Sequence, residues 1–352
     1  MISVIIPAGP NEKIENINRT IDSLRSNASS VLEFIVVADG WEPKGVDSQA
    51  RIHSFATNKG ERETLNKGVE LANGSHVLRI DAHCSMSNDW DVEFLKHCKD
   101  NTICVSTLDA LDETTWEGRG HAYRFVYINI NGEEKWWGGY KENKDVDAEP
   151  TMSFTGCGWL CNRDFYLNHL YSDVSLSKWG SIGPEMSLRT EKAGGSVLLC
   201  KKVKCGHVFT TNPKGYPVSE VAKTRLKLLA KYAKYLYAAA KRFNAPGWEN
   251  ITEDYIVNYR NYFMYETTID RKETTETRDS SGNVIKKVIK YYQPVPYKGA
   301  ENPDDPEVGK RLTQDAPVVQ IRIADWGVQG WHYTTLNKKE DIELWLFENA
   351  PV

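Results

Sequence analysis

Asp81 and His83 stand two residues apart, directly after a predicted strand at 76–80. In an extended chain, residues i and i+2 point to the same side, so the two side chains can reach one point. A carboxylate and a neutral imidazole together suit a borderline divalent cation such as manganese. The same triplet is also typical of an ordinary loop, and only its surroundings can distinguish the two interpretations.

The elements around this pair alternate between strand and helix from residue 1 to about 105. Predicted strands cover 2–6, 32–38 and 76–80, and predicted helices cover 14–24 and 61–72. This alternation predicts an α/β fold in which helices flank both faces of a mostly parallel sheet. Such sheets bind ligands at the carboxyl ends of their strands, and Pro7, Asp39 and Asp81 fall at those ends.

The composition is that of a globular protein, but it does not identify a binding partner. The chain has 352 residues, of which 40% are apolar and 11% aromatic, enough for a sizeable core. Its net charge is −4, so any basic surface must be local. We expect no membrane span, because no apolar run reaches about 18 residues, and no signal peptide, because the N-terminus lacks a basic region. The seven cysteines form no C-x-x-C pair, which argues against a zinc site and for reduced, cytosolic thiols.

Five short motifs follow one another along the first 210 residues. They are DAHC at 81–84 with Trp90 after it, FTGCG at 154–158, WGSIGPEMSLR at 179–189, GG at 194–195 and GHVF at 206–209. In this order they resemble the polypeptide N-acetylgalactosaminyltransferases, which are GT-A glycosyltransferases of the family 2 type. The resemblance implies a GT-A fold and a nucleotide-sugar donor.

The resemblance also implies roles for individual residues. Asp81, His83 and His207 inherit manganese binding, with magnesium as the alternative ion. Asp39 stands where such enzymes commonly contact the nucleobase, and Arg62 and Asn66 lie in the helix that commonly faces the nucleotide. At the same donor site we predict contacts from Pro7, Ala8 and Asp81 itself, and a close backbone approach at Gly156.

The chain departs from the family pattern at several points. Ser181 and Ile182 occupy the place of the family's usual glutamate, and neither a lectin domain nor a membrane anchor is expected. Glu185 then becomes the candidate for binding the acceptor hydroxyl or acting as general base; alternatively it is a glutamate favoured by the helix dipole. Trp179 is a candidate for stacking on the sugar or base. These departures leave retention and inversion of the anomeric carbon both open.

The predicted function is metal-dependent transfer of a hexosyl or N-acetylhexosaminyl group from a UDP-sugar to a hydroxyl. UDP is favoured because a carboxylate can accept a hydrogen bond from uracil N3–H, which cytosine lacks. One alternative is a GT-A module that binds nucleotide or carbohydrate without transferring sugar. Another is a nucleotidyltransferase, although PAGPNEK at 7–13 is a poor phosphate-binding loop.

We predict a catalytic domain at 1–216 and a C-terminal extension at 217–352, which is the candidate acceptor-binding region. The extension begins with a basic helix at 218–243, which carries Lys223, Arg225, Lys227, Lys231, Lys234, Lys241 and Arg242. This helix is either a solvated surface or a track for a phosphate backbone. On the second interpretation, the acceptor is a hydroxymethylated pyrimidine in DNA, as for some phage enzymes, and the protein is cytoplasmic, in the host if phage-encoded. A glycan and a protein serine or threonine are the competing acceptors.

Overall fold

The computed structural model describes residues 1–209, 218–253, 271–278, 284–292, 319–324 and 331–336. The chain packs into two units. One unit comprises Met1–Thr224 and Tyr235–Glu249, and the other comprises Arg225–Lys234 and the described residues after Glu249. The domain boundary predicted at Pro217 lies outside the described residues. Among the described helices, none combines the length and hydrophobicity that crossing a bilayer requires.

Twelve strands belong to the first unit. They are β1 Ile2–Ala8, β2 Leu32–Asp39, β3 Ala50–Phe55, β4 His76–Arg79, β5 Cys84–Met86, β6 Thr102–Leu111, β7 Gly118–Tyr123, β8 Val126–Ile128, β9 Glu134–Trp136, β10 Ala148–Pro150, β11 Trp159–Asn162 and β12 Ser196–His207. Apart from the separate β8–β9 pair, they form one sheet in the order β10-β12-β6-β11-β4-β1-β2-β3, with β5 on β12 and β7 on β6. Strands β3, β2, β1 and β4 are mutually parallel, as are β6 and β12, while β11 runs antiparallel between these two groups.

The helices are α1 Ile14–Ser26, α2 Glu61–Leu71, α3 Trp90–His97, α4 Arg163–Phe165, α5 Ile182–Lys192 and α6 Val218–Phe243, with a π-helical turn at Tyr166–Leu170. Helices α1 and α3 pack on one face of the sheet, where Ile17 and Phe94 join Val4. Helices α2 and α5 pack on the other face, where Leu65 and Met186 join Ile5. Alternate residues of β1 thus enter two separate cores, which explains why the strand is apolar at every position except Ser3. The predicted α/β architecture is confirmed.

The register of the parallel strands brings their ends together. Ala8 pairs with Ala38, so Asp39 follows at the same edge of the sheet. Ile5 pairs with Arg79, which places Asp81 beside the end of β1. The three predicted binding segments therefore converge because of strand pairing, and not because of any contact along the chain.

The second unit contains a separate antiparallel sheet. Its strands are β13 Arg271–Arg278, β14 Val284–Tyr292, β15 Val319–Ala324 and β16 Trp331–Leu336, in the order β13-β14-β15-β16. Thr274 pairs with Ile289 and Glu276 with Lys287, so β13 and β14 run antiparallel. Helix α6 runs through both units and is interrupted at Tyr232, whose φ of −124° and ψ of 16° are not helical.

Candidate functional site

A cavity of about 460 Å³ opens at the carboxyl ends of β1, β2 and β4. Its volume lies in the range of pockets that hold small ligands and cofactors. Seven of the predicted site residues line it: Pro7, Ala8, Asp39, Asp81, His83, Trp179 and His207. Four other predicted residues lie elsewhere: Arg62, Asn66, Gly156 and Glu185.

Asp81 and His207 meet although 126 residues separate them. Strand β5 pairs antiparallel with the end of β12, so that His207 lies opposite Cys84. The Val208 amide donates to the His83 carbonyl at 3.1 Å, which continues this pairing. As a result His207 Nε2 lies 3.1 Å from Asp81 Oδ2, and the rings of His83 and His207 are 4.8 Å apart. The structure thus brings Asp81 and His207 into contact and places the His83 ring beside His207, while their role as metal ligands stays a prediction.

Arg79 holds the Asp81 carboxylate in its charged form. Its Nη2 donates to Asp81 Oδ1 at 2.7 Å and to Glu61 Oε1 at 2.5 Å. Burial by itself would raise the pKa of Asp81, but the Arg79 guanidinium and the hydrogen bond from His207 hold that pKa well below its usual range. Asp81 therefore stays an anion at any physiological pH, as a cation ligand must.

Glu12 orients His83. Its Oε2 lies 3.1 Å from His83 Nδ1, so a proton on Nδ1 leaves Nε2 available as a ligand. Burial lowers the pKa of His83, but the Glu12 hydrogen bond and the Asp81 charge raise it overall. A bound cation must therefore compete with a proton for this ring.

The donors fit a divalent cation of the manganese type. One carboxylate and two imidazoles form a mixed oxygen and nitrogen set that suits such an ion. Within the described part of the chain, His207 Nδ1 is buried without a hydrogen-bond partner, so this ring has capacity for a further contact. Asp81, His83 and His207 are the residues that would hold the ion.

Asp39 contributes both to the cavity and to the turn before α2. It lines the cavity, and its carboxylate accepts hydrogen bonds from the Lys59 amide at 2.5 Å, the Gly60 amide at 2.9 Å and Asn58 Nδ2 at 2.8 Å. Gly60 has a φ of +98°, and a Cβ there would lie 2.5 Å from the Lys178 carbonyl oxygen. Asp39 thus fixes the turn that enters α2, and its contact with the base stays a prediction.

Arg62 and Glu185 form a buried ion pair with each other. Arg62 Nε donates to Glu185 Oε2 at 2.8 Å, and the side chains are 1% and 0% exposed. Arg62 also donates to the Gly180 carbonyl at 2.8 Å, while Glu185 accepts from the Asp173 amide at 2.6 Å. Neither side chain lines the cavity, because the pair holds together two loops beneath it. Both residues thus lie outside the cavity lining, and their predicted roles at the phosphates and at the acceptor hydroxyl stay predictions.

Asn66 is likewise part of this internal network. Its Nδ2 donates to the Ser172 carbonyl at 2.9 Å, and its Oδ1 accepts from the Tyr166 hydroxyl at 2.8 Å. The residue is 1% exposed and does not line the cavity. It stabilises the scaffold through these hydrogen bonds, and its predicted place near the nucleotide stays a prediction.

Packing also explains why a glycine occupies position 156. Its φ is +90°, and the atoms nearest to an added Cβ are the Gly183 amide nitrogen and Ile182 Cβ, both at 3.5 Å. A Cβ on Gly183 would lie 1.7 Å from the Phe154 carbonyl oxygen. The two glycine-containing motifs therefore pack backbone against backbone, and this contact explains their glycines without a ligand.

Trp179 is the predicted aromatic residue that does reach the cavity. Its carbonyl accepts from the Ser177 hydroxyl at 2.8 Å. Arg62 donates to the carbonyls of Ser177 and Gly180 on either side. The buried ion pair thus positions the loop that carries Trp179, which gives Arg62 and Glu185 an indirect link to the cavity.

Residues that the sequence did not single out complete the site: Glu12, Arg79, Glu61, Lys13 and Glu113. Lys13 Nζ lies 2.7 Å from Glu113 Oε1 and joins α1 to the segment after β6. A signal for Arg79 exists in the sequence, since it stands two residues before Asp81 and shares its side of the strand. Glu12 and Glu113 carry no such local signal.

Two basic residues near the end of helix α6 form hydrogen bonds with other parts of the first unit. Arg242 forms two hydrogen bonds with the Glu191 carboxylate at 2.6 and 2.7 Å, and Lys241 donates to the Trp248 carbonyl at 2.8 Å. Lys227, Lys231 and Lys234 are exposed, whereas Arg225 is half-buried and the side chain of Lys223 lies outside the described residues. A DNA-binding role for this helix stays a prediction.

Comparison with known proteins agrees with this fold. Residues 3–170 match the family model described as glycosyl transferase family 2. N-acetylgalactosaminyltransferase 7 of Drosophila melanogaster is 27% identical over 228 residues, which cover 56% of this chain and 38% of that protein. Probable N-acetylgalactosaminyltransferase 7 of Caenorhabditis elegans is 28% identical over 162 residues, which cover 41% of this chain and 26% of that protein. The chain thus spans less than half the length of either relative.

A solved structure shows the same fold. The crystal structure of GalNAc-T7 with UDP, GalNAc and Mn²⁺ superposes with a TM-score of 0.59 at 16% sequence identity, and the superposition covers 97% of this chain and 72% of that chain. The sheet order, the cavity at the strand ends and the family match agree with one another. Residues 3–170 are therefore similar to the family 2 glycosyltransferases, and the chain shares the fold of GalNAc-T7.

Proposed function

We propose that the protein transfers a sugar, in the first instance N-acetylgalactosamine, from its UDP conjugate to a serine or threonine hydroxyl of a protein. The observation that carries this proposal is the convergence of Asp81, His83 and His207 on one cavity at the strand ends. Sugar transfer from a nucleotide diphosphate requires neutralisation of the departing diphosphate, and this donor set is suited to that task.

The donor assignment rests on the shape and chemistry of the cavity. Asp39 offers a carboxylate for the uracil N3–H, and Pro7 and Ala8 line the cavity at the end of β1. Trp179 contributes an aromatic ring that can pack on the base or on the sugar. GalNAc-T7, which shares this fold, was crystallised with UDP, GalNAc and Mn²⁺, and this supports the same donor and ion here.

The chain's own residues prepare the site for a negatively charged substrate. When bound, the divalent ion supplies Lewis-acid stabilisation of the leaving diphosphate. Arg79 keeps Asp81 ionised, and Glu12 keeps His83 in one orientation. Because these contacts exist before any ligand arrives, little reorganisation is needed during the reaction.

The acceptor is supported mainly by the relatives. Several carry the name polypeptide N-acetylgalactosaminyltransferase, including polypeptide N-acetylgalactosaminyltransferase 16 of Homo sapiens, which is 22% identical over 79% of this chain and 55% of that protein. A DNA acceptor has only the exposed lysines of α6 in its favour. Protein serine or threonine is therefore the acceptor that we put first, ahead of glycans and DNA.

The test uses the full chain with Mn²⁺ and a panel of UDP-sugars, first without any acceptor. Release of UDP from one sugar identifies the donor and excludes a module that only binds. Serine/threonine peptides, glycans and hydroxymethylated duplex DNA are then added separately, and the products are analysed by mass spectrometry. Sugar on a peptide hydroxyl is the expected result, whereas sugar on DNA alone would overturn the acceptor assignment.

Variants of the ligand set provide the control for this assay. Asp81→Asn and His207→Ala should each lower Mn²⁺-dependent turnover by about 100-fold or more while circular dichroism stays unchanged. Full turnover in the presence of EDTA would contradict the metal-dependent mechanism.

A further inference from the structure

Two buried thiols lie directly beside Asp81 and His207. The ligand atoms of Asp81, Cys84, Cys157 and His207 are all within 4.8 Å of one another. Cys84 is 0% exposed and Cys157 is 6% exposed, and neither forms a disulfide. The manganese-type function described above uses neither of them.

The fold assembles this cluster from separate parts of the chain. Cys84 opens β5 and pairs with His207 at the end of β12. Cys157 reaches the same place because the amide of the next residue, Gly158, donates to the Arg79 carbonyl at 3.1 Å. Since 73 positions separate the two cysteines (157 − 84), their spacing in the sequence gives no sign of a shared site.

The four side chains form a different kind of donor set from the one that suits manganese. Two sulfurs, one imidazole nitrogen and one carboxylate oxygen are ligands that tetrahedral Zn²⁺ takes in proteins. Thiolates favour zinc and other thiophilic ions, whereas manganese prefers oxygen and imidazole. The buried His207 Nδ1, which has no hydrogen-bond partner among the described residues, adds an independent sign of an unfilled contact.

We propose that Asp81, Cys84, Cys157 and His207 form a Zn²⁺ site that shares two ligands with the manganese position. Since one set of side chains cannot serve both ions, zinc and manganese exclude each other. Zinc occupancy then switches the protein off. The existence of the site is independent of the proposed function, and only the inhibition rests on it.

The charges of this region permit a buried zinc ion. Arg79 contacts two carboxylates, Asp81 and Glu61, and its positive charge already offsets one of their two negative charges. Zinc binding releases one proton from each thiol to solvent, so the two thiolates offset the two positive charges of the ion. The net charge of the buried region therefore does not change.

The distances require only a small adjustment. Tetrahedral Zn²⁺ holds neighbouring ligand atoms about 3.3–3.8 Å apart, compared with a present maximum separation of 4.8 Å. Small rotations of the side chains would bring the four ligand atoms to this spacing. The ion can enter from the cavity, which Asp81 and His207 line.

The test measures metal binding to the full chain by two methods. Co²⁺ serves as a spectroscopic probe, because thiolate ligation produces sulfur-to-cobalt charge-transfer absorption that oxygen and nitrogen ligands do not. Zn²⁺ affinity is measured by competition with a chromophoric chelator. The test variant is Cys84→Ala/Cys157→Ala, with the single variant Cys157→Ala as a milder change.

Cys104→Ala/Cys200→Ala is the matched control. These two thiols are also free and buried, but they lie outside the proposed set. We expect thiolate bands and tight Zn²⁺ binding in the wild type and in this control, and Zn²⁺ binding at least about 100-fold weaker without Cys84 and Cys157. Equal Zn²⁺ affinity in all variants, or a Co²⁺ spectrum without thiolate bands, would overturn the proposal.

Turnover assays separate this inference from the proposed function. In the wild type, Zn²⁺ should inhibit Mn²⁺-dependent transfer in competition with Mn²⁺, and the Cys84→Ala/Cys157→Ala variant should keep transfer while losing most of this sensitivity. Thiolate-bound zinc without any sugar transfer would overturn the proposed function alone. Sugar transfer that zinc inhibits equally in every variant would overturn the inhibition by this site.

Discussion

The Glu12 carboxylate lies 3.1 Å from Nδ1 of His83, and both side chains are 22% exposed. Glu12 ends the loop after β1, whereas His83 follows β4, so parallel strand pairing brings them together. A carboxylate behind a metal-binding histidine fixes the ring and its tautomer. This pair therefore links the cavity wall to the predicted metal ligand.

Replacing Glu12 should weaken the metal site without unfolding the protein. For Glu12→Ala we expect Mn²⁺ affinity to fall by about 10- to 100-fold, because the His83 ring loses its orientation. Titration calorimetry with Mn²⁺ measures this effect. Glu15→Ala, which removes an exposed acid from α1, is the control and should leave the affinity unchanged. Equal affinities for both variants would show that Glu12 does not orient His83.

Arg79 should be essential for stability. Arg79→Met leaves Asp81 and Glu61 as uncompensated neighbours, and breaking a buried pair in this way costs about 3–5 kcal/mol. Urea unfolding measures the loss, and Arg51→Met on the exposed β3 is the control. Adding Glu61→Gln to Arg79→Met should restore part of the stability, since it removes one of the two remaining charges. A double variant less stable than Arg79→Met would contradict this explanation.

Arg79 should also affect how the free energy of unfolding depends on pH. Because the folded-state pKa of Asp81 is held below its ordinary value, ionised Asp81 stabilises the fold above the unfolded carboxyl pKa of about 3.9. That contribution declines as pH falls below this value. In Arg79→Met this decline should be smaller, because the main interaction that lowers the folded-state pKa of Asp81 is gone and the gap to the unfolded pKa narrows. Identical pH profiles for the two proteins would exclude Arg79 as the cause.

Glu185 should behave as a positioning residue. Glu185→Gln breaks its ion pair with Arg62 and should lower the free energy of unfolding by about 3–5 kcal/mol. The surviving activity should keep the wild-type pH–rate profile, since a buried, ion-paired carboxylate is no general base. Rescue by Arg62→Met/Glu185→Gln would support the ion-pair role. Loss of one limb of the pH–rate profile would instead restore the acid–base role.

Asp39 can be tested through its preference for the base. Asp39→Asn should raise the UDP dissociation constant about tenfold, with a smaller effect on the chemical rate, and should reduce the preference for UDP over CDP. Asn58→Ala is the matched control, because it removes one hydrogen bond of the same turn without changing the carboxylate. If both variants lose the same affinity and keep the UDP preference, Asp39 acts only through the turn.

Local sequence determined much of this protein. The mostly apolar runs at 2–6, 32–38 and 76–80 predict strands buried on both faces, and β1 indeed sends Val4 and Ile5 into different cores. The strand predictions succeed because side-chain direction in a strand depends on neighbours only one or two residues away. The same argument does not extend to Asp81 and His83, since Ala82 and His83 lie in a turn after β4.

Tertiary structure alone decided the rest. The Arg62–Glu185 pair joins residues 123 positions apart, and only packing shows that it is buried beneath the cavity. Likewise, the approach of Cys84 and Cys157 depends on the pairing of β5 with β12 and on the turn before β11. Motif order identifies which side chains are polar or reactive, but burial and partners follow from strand register and helix packing. Two glutamates of the same chain therefore have different surroundings. Glu12 lies beside a predicted metal ligand, whereas Glu185 forms a buried structural ion pair.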